Sequence, residues 1–557
     1  MSRLKFAAAV ASLFAAAVAA PACGSDDTPT FPDDDDTITK DGFEPAPGGM
    51  RRMLSTEYVR TVELLLGAQA AAAAGPPVDV AQEGFDAIGN SILSLSAEPV
   101  EFYERSAETV AQAAITDKSR LAIEAPCVLD AVPSSSCYEE VATNVGRLFF
   151  RRPLEQVEID DLVGVATFAE GWAMDEGVDG PAFDQGLKYE LMAMLQAPSF
   201  VYIPELGGEP SSSGLRELTQ YELASRLSFF LLGHGPDAEL LDLAEADGLA
   251  TDEDVAALAE EMLDSGDAKV ALDIFYDELF RLRYMAETPK NATDFPEWTP
   301  ELAEAMRQET LLLIDDVVWG EDADIRTLYN ADYTFVNDQL AMHYGITPPG
   351  SGAQFEKVSW PASQNRAGYT SQGSFLAHQS GPLRNSPTER GKFVLEFLMC
   401  RVVPPPPADV VTSLPEPPPG GATLQELLEQ HMDDPACASC HALTDPVGFA
   451  FEHFDTIGRF RTEDEHGLPI NGDGALEEIG EWSNAAELGE LLATNEDAGI
   501  CVIKNLVRGK LGHTETDGEQ PALDELDGSA EEQGYSLKSV LVEMTSNRLF
   551  RYVGAPR

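Results

Sequence analysis

The polypeptide has 557 residues, 44% of them apolar, and carries 96 acidic against 36 basic side chains, a formal charge of −60. That length buries a large core and suffices for several modules. A surface so acidic repels polyphosphate backbones and anionic headgroups, which excludes nucleic acid and electrostatic membrane attachment.

Residues 1–22 read as an export signal: a basic start at Arg3 and Lys5, then an apolar stretch from Phe6 to Ala20 that is too short to span a bilayer. Ala20-Pro21-Ala22-Cys23 resembles a bacterial lipobox, with Ala20 where Leu is usual. It predicts diacylation of Cys23 and a lipid anchor, with no transmembrane helix in the mature chain; ordinary cleavage leaving a free Cys23 is the alternative. Losing Arg3 and Lys5 brings the mature charge to −62. Residues 23–49, with the acidic run Asp33–Asp36 among Pro and Gly, read as a solvated tether.

From Met50 the pattern is mainly α, arranged as helical modules over 50–120, 121–207 and 215–346, a module for the motif below over 347–475, and a last helical module over 476–557. Helices are predicted at Tyr58–Leu66, Asp254–Leu263, Ala268–Leu282, Lys392–Met399 and Leu541–Phe550. Thr219 with Glu222 makes a capping box for a helix whose Leu223, Leu227, Phe230 and Leu231 share a face and which ends at Gly233. Thr299-Pro300 starts another helix, running towards Trp319. The best strand lies near Phe355–Trp360. Prolines 404–407 and 417–419 mark the clearest seam. Beyond it Thr423 and Glu426 form a second capping box, and Leu424, Leu427, Leu428 and His431 fall on one stripe, which turns His431 inward.

Cys437-Ala438-Ser439-Cys440-His441 carries the most chemistry. Two thiols three apart add to the vinyl groups of a porphyrin while the adjoining imidazole reaches the iron, the spacing of a c-type haem. Seven Cys and eight His among 557 residues give this string by chance only about 0.001 times. A zinc site lacks a second Cys/His pair nearby, and a thioredoxin-like CxxC follows a buried strand, whereas the segment before Cys437 is polar and helical. Export fits this reading, since c-type haem is attached outside the cytoplasm.

With Cys23, Cys437 and Cys440 set aside, four cysteines remain, which predicts two disulfides in an oxidising compartment. Cys127 with Cys137 is the natural local pair, leaving Cys400 with Cys501; four cysteines allow three pairings. Around the motif, Phe449 and Phe451 are spaced to touch a porphyrin, or to fill an ordinary core. A carbonyl in the turn at Pro446 is expected to fix the His441 ring. Arg459 and Arg461 are candidates for the haem propionates, with surface ion pairing as the alternative.

A set of longer strings spans the mature chain: Arg51-Arg52-Met53-Leu54-Ser55-Thr56-Glu57-Tyr58, Phe150-Arg151-Arg152-Pro153-Leu154, Ala197-Pro198-Ser199-Phe200-Val201-Tyr202 and Glu222-Leu223-Ala224-Ser225-Arg226. It continues with Phe335-Val336-Asn337, Ser386-Pro387-Thr388-Glu389-Arg390-Gly391, Asp445-Pro446-Val447-Gly448-Phe449 and Thr545-Ser546-Asn547-Arg548. In this order the motifs resemble secreted multi-domain proteins of planctomycetes and myxobacteria, built from consecutive domains of unknown function with an embedded CxxCH. The resemblance implies a haem-bearing, extracytoplasmic, mainly helical protein with redox work at the cell envelope. His453 stands where that family usually has Asn, and Gly512-His513 where it usually has Gly-Arg.

No Met lies between His441 and Met544. The first choice for a second iron ligand is therefore His431, on its apolar stripe and matching a family position, ahead of His453, His466, Met432 and Met544. Three function classes follow: electron transfer with a redox partner protein, a haem-dependent peroxidase or oxygenase acting on an extracellular substrate, and an envelope binding protein with structural or sensory haem. No GxSxG, HExxH, phosphate loop or dinucleotide fingerprint supplies another active site.

Overall fold

The computed structural model describes residues 41–94, 96–405, 422–432, 435–464 and 466–556. The expected export signal over residues 1–22, Cys23, the acidic run and the second proline cluster lie outside them. Helix takes up 59% of the structure, and the strands form two-stranded antiparallel ladders, so the protein is mainly α. Among the described residues no helix is long and apolar enough to cross a membrane.

The chain divides into two compact units. Unit one holds the residues up to Met262 together with Thr516–Pro521 and Thr545 onward; unit two holds Leu263–Glu515 and Ala522–Met544. The module expected over 215–346 is thus cut at Met262, and the one expected over 476–557 is shared out between the units. In unit one the C-terminal strand Tyr552–Val553 pairs with strand β3 (Arg216–Glu217), a partner more than 300 residues away that no sequence seam announces.

In unit one, β1 (Gly49–Arg52) pairs with β2 (Tyr202–Glu205) beside helices α1 (Ser55–Leu66), α2 (Ala97–Thr116), α3 (Gln156–Glu176) and α4 (Ala182–Gln196). The core is filled by Tyr58, Val62, Val110, Phe149, Leu187, Leu191 and Phe200. The arginine-rich strings are structural here. Arg51 forms a bidentate pair with Glu57 at 2.8 and 3.0 Å, and Arg52 donates to Asn90 and Tyr103. Arg151, at φ +56°, donates to the carbonyls of Ser199 (2.7 Å) and Tyr202 (2.6 Å). Cys127 and Cys137 are joined, as expected. Helix α5 (Gln220–Leu232) has the expected capping box, Thr219 N–H donating to Glu222 at 2.9 Å, and ends at Gly233 with φ +69°, a conformation glycine adopts without strain.

Unit two contains α6 (Gly266–Leu279), α7 (Pro300–Asp315), β4 (Tyr333–Val336), α8 (Asp338–His343), β5 (Glu356–Ser359), α9 (Gly373–His378), α10 (Pro387–Phe393), α11 (Leu424–His431), α12 (Pro435–Phe449), α13 (Ala485–Ala493) and α14 (Glu496–Leu506). The expected strand is β5, paired with β4. Helix α7 has its Thr299 cap and Pro300, then finishes in a single π turn at Asp316–Gly320; α10 likewise ends in one at Val394–Leu398. Cys400 is bonded to Cys501 of α14, closing a 101-residue separation that encloses the proline seam, α11 and α12. In the chain-entropy model such a loop contributes about 4 to 5 kcal/mol.

One buried carboxyl in this unit carries a pH signature. Glu309 of α7 is 0% exposed and accepts from Thr334 (2.6 Å) and Tyr344 (2.5 Å). Burial pushes its pKa from 4.5 up to about 7, against those two hydrogen bonds. A folded-state value above the unfolded one means stability that is complete below pH 4.5 and is lost as pH rises through 7, on the order of 3 kcal/mol. Urea unfolding of Glu309→Gln should show a smaller decline than wild type between pH 4.5 and 7.5, by about that amount; parallel pH profiles would refute the assignment.

Candidate functional site

The site begins with helical spacing. Cys437, Cys440, His441, Thr444 and Gly448 stand at i, i+3, i+4, i+7 and i+11 along α12 and therefore on one face. The C-terminal half of this stripe is pressed against α10 at two glycines. A Cβ on Gly391 would lie 1.8 Å from the Thr444 carbonyl oxygen, and one on Gly448 would lie 1.9 Å from that of Pro387. The two backbones meet without intervening side chains.

Arg390 fixes the crossing. It is 0% exposed and donates to the carbonyls of Phe451 (2.8 Å), Leu376 (3.0 Å) and Asp455 (3.0 Å) and to the Ser380 hydroxyl (2.9 Å). Burial lowers its pKa to about 10. Pro387 at the first turn of α10 and the Ser386 cap set the start of that helix, placing Thr388 over α12. None of these residues is legible as chemistry from residue type; their signal is the Ser386–Gly391 string.

The N-terminal half of the stripe carries the reactive groups. Cys437 and Cys440 are half-buried free thiols, and the Cys440 thiol donates to the Pro404 carbonyl at 2.9 Å. His441 Nδ1 lies 2.8 Å from Asp445 Oδ2, the carboxyl being 0% exposed. Asp445 Oδ1 accepts from Thr388 (2.8 Å) and Thr444 (3.2 Å). Because Asp445 accepts, the ring proton of neutral His441 sits on Nδ1, which leaves the Nε2 lone pair available to a metal. The ring is fixed by a side-chain carboxyl one residue before Pro446, and Pro446 itself lies inside α12, where a carbonyl in a turn was expected. The difference follows from the helix continuing through Pro446 to Phe449, which keeps residue 445, at i+4, beside the ring.

His431, at the end of α11, is half-buried with its ring centroid 5.2 Å from that of His441 and the planes at 82°. Its helix has the expected box, Thr423 N–H donating to Glu426 at 2.8 Å. The structure thus brings together Cys437, Cys440, His441 and His431. Of the other candidate ligands, His453 Nδ1 meets the Arg461 carbonyl at 3.1 Å and Met544 is fully buried.

The outer candidates are placed differently. Phe451 meets Phe375 edge-on at 5.1 Å, inside an aromatic core with Phe393 and Tyr369, and Phe449 is 4% exposed. Arg459 pairs with Asp455 (2.7 Å) and Glu297, and Arg461 with Glu452 (3.3 Å). Both arginines line a cavity of about 370 Å³ with Arg384, Asn385, Glu463 and Asp464. They are matched to protein carboxylates, because this segment supplies one beside each guanidinium. The Cys437–His441 pattern fits a covalently held haem: two free thiols and a metal-ready imidazole share one helix face, with the far ring nitrogen already bound.

Three family models match the chain, each described as a protein of unknown function: DUF1587 (PSD3) over residues 51–116, DUF1592 (PSD4) over 218–346 and DUF1588 (PSCyt3) over 366–464. The chain belongs to the planctomycete-type multi-domain proteins built from these domains in succession. The third match contains α10, α11 and α12 and thus the whole of the His431–Asp445 site. These cytochrome-c-like families are consistent with a redox role. No curated protein and no solved structure matches the chain.

Gly391→Ala or Gly448→Ala should force α10 and α12 apart. Each is expected to cost about 3 kcal/mol or more in denaturant unfolding, as overpacking against rigid backbone does. Unchanged midpoints would contradict the crossing described.

Proposed function

We propose that this protein is an extracytoplasmic redox protein, anchored through a lipid on Cys23, that carries one haem c and exchanges electrons with a partner protein at the cell envelope. Cys437 and Cys440 would hold the porphyrin as thioethers, and His441 and His431 would be the residues that offer ring nitrogens to its iron. Bound haem supplies one-electron exchange between ferric and ferrous iron. The observation that carries the reading is the pairing of a fixed His441, its Nδ1 held by buried Asp445, with a second imidazole at 5.2 Å.

The chain's own contribution is orientation and access. Asp445 and Thr388 keep Nε2 of His441 turned away from the helix crossing. Cys440, bonded to Pro404, lies on the same side as Cys437, so both sulfurs can be reached from one direction. A saturated iron suits transfer to a protein partner, whereas an open one would admit peroxide or oxygen as substrate. The acidic surface favours a partner that is basic around its docking site. Envelope location, in the periplasm or at the outer membrane and cell surface, follows from the export signal and the lipid anchor and suits covalent haem.

Exposure to carbon monoxide tests the reading. The reduced protein, exported with a haem-attachment system, should show a low-spin spectrum that the gas leaves unchanged, and His431→Ala should become high-spin and respond to it. A clear shift of the wild-type spectrum would instead favour a haem enzyme with an open coordination position.

A further inference from the structure

The carboxyl of Asp445 is buried, and among the described residues neither Lys nor Arg forms an ion pair with it; the ring it meets is that of His441, whose Nδ1 lies 2.8 Å from Oδ2. A buried carboxylate without a compensating cation is costly. Here both oxygens are engaged, Oδ2 by His441 Nδ1 and Oδ1 by the Thr388 and Thr444 hydroxyls. Charge on this carboxyl therefore has one direction in which to act, through the imidazole towards whatever Nε2 binds.

We propose that Asp445 is the positioning residue that sets the reduction potential of the site, holding it low, and that Thr388 moderates the effect. The inference rests on the haem reading above. A carboxylate accepting from Nδ1–H makes a ligating imidazole a stronger donor, which favours ferric over ferrous iron. The Thr388 hydroxyl withdraws charge from the opposite oxygen and so opposes it. The two residues lie on different helices, and the Gly391 and Gly448 contacts hold those helices at the spacing that makes the 2.8 Å Thr388–Asp445 bond possible.

The two substitutions carry opposite signs. Asp445→Asn keeps an oxygen near Nδ1 but removes the charge, and should shift the ferric/ferrous equilibrium towards ferrous by about ten- to hundred-fold, ~60–120 mV for one electron. Thr388→Val keeps the shape but removes the shorter of the two hydroxyl bonds to Oδ1, that of Thr444 remaining, and should shift it towards ferric by up to about ten-fold. Both are read by spectroelectrochemical titration of the full exported chain. Equal signs, as general loosening of the packing would give, or unmoved potentials would overturn the proposal. If the Asn variant does not fold, Thr388→Val alone decides: a lower potential supports the proposal, an equal or higher one contradicts it. Haem content measured in the same samples separates the two levels. Wild-type protein without haem removes the underlying reading, while haem with unshifted potentials removes this inference only.

Discussion

The site rests on a contact between two backbones. Where α10 crosses α12, Gly391 and Gly448 leave no room for a β-carbon, and Arg390, with no exposure, binds three carbonyls from two segments around the crossing, that of Leu376 in α9 and those of Phe451 and Asp455 beyond α12. That arrangement sets where Thr388 stands, Thr388 engages Asp445, and Asp445 fixes the ring of His441. The chemistry at the thiol end of α12 is thus held by packing two to three turns further along the same helix.

The other constraint is covalent. Cys400 and Cys501 pin the chain where the proline seam begins, while Arg401 adds ion pairs to Glu478 (3.0 Å) and Asp497. The stretch bearing α11 and α12 is therefore a closed loop anchored in unit two, and His431 and His441 meet inside it.

Much of the site was legible in the sequence because its signals are local. The two capping boxes and the pairing of cysteines depend on neighbours within a few residues or on an even count, and each takes the expected form; on the stripe of α11, Leu427 and Leu428 are buried and His431 is half-buried. What escaped is non-local. Asp445 reads as part of a turn until the helix is seen to run through Pro446. Arg459 and Arg461 read equally as propionate partners or as members of ion pairs until Glu297, Asp455 and Glu452 are placed beside them, which gives the second. The place of the residues from Thr545 onward in unit one goes with a strand pairing across more than 300 residues, for which composition has no signal. Glu309 of α7 lies wholly buried through contacts with Thr334 and Tyr344, which are distant in sequence.

The central claim is that Cys437 and Cys440 hold a porphyrin, and peptide mass measurement of the exported protein tests it most directly. The fragment carrying both sulfurs should be heavier than its sequence by roughly 616 Da, the weight of haem added through two thioethers. Recovery of that fragment at its unmodified mass, or two mass units lighter as a disulfide, from protein matured alongside a haem-attachment system would contradict the account.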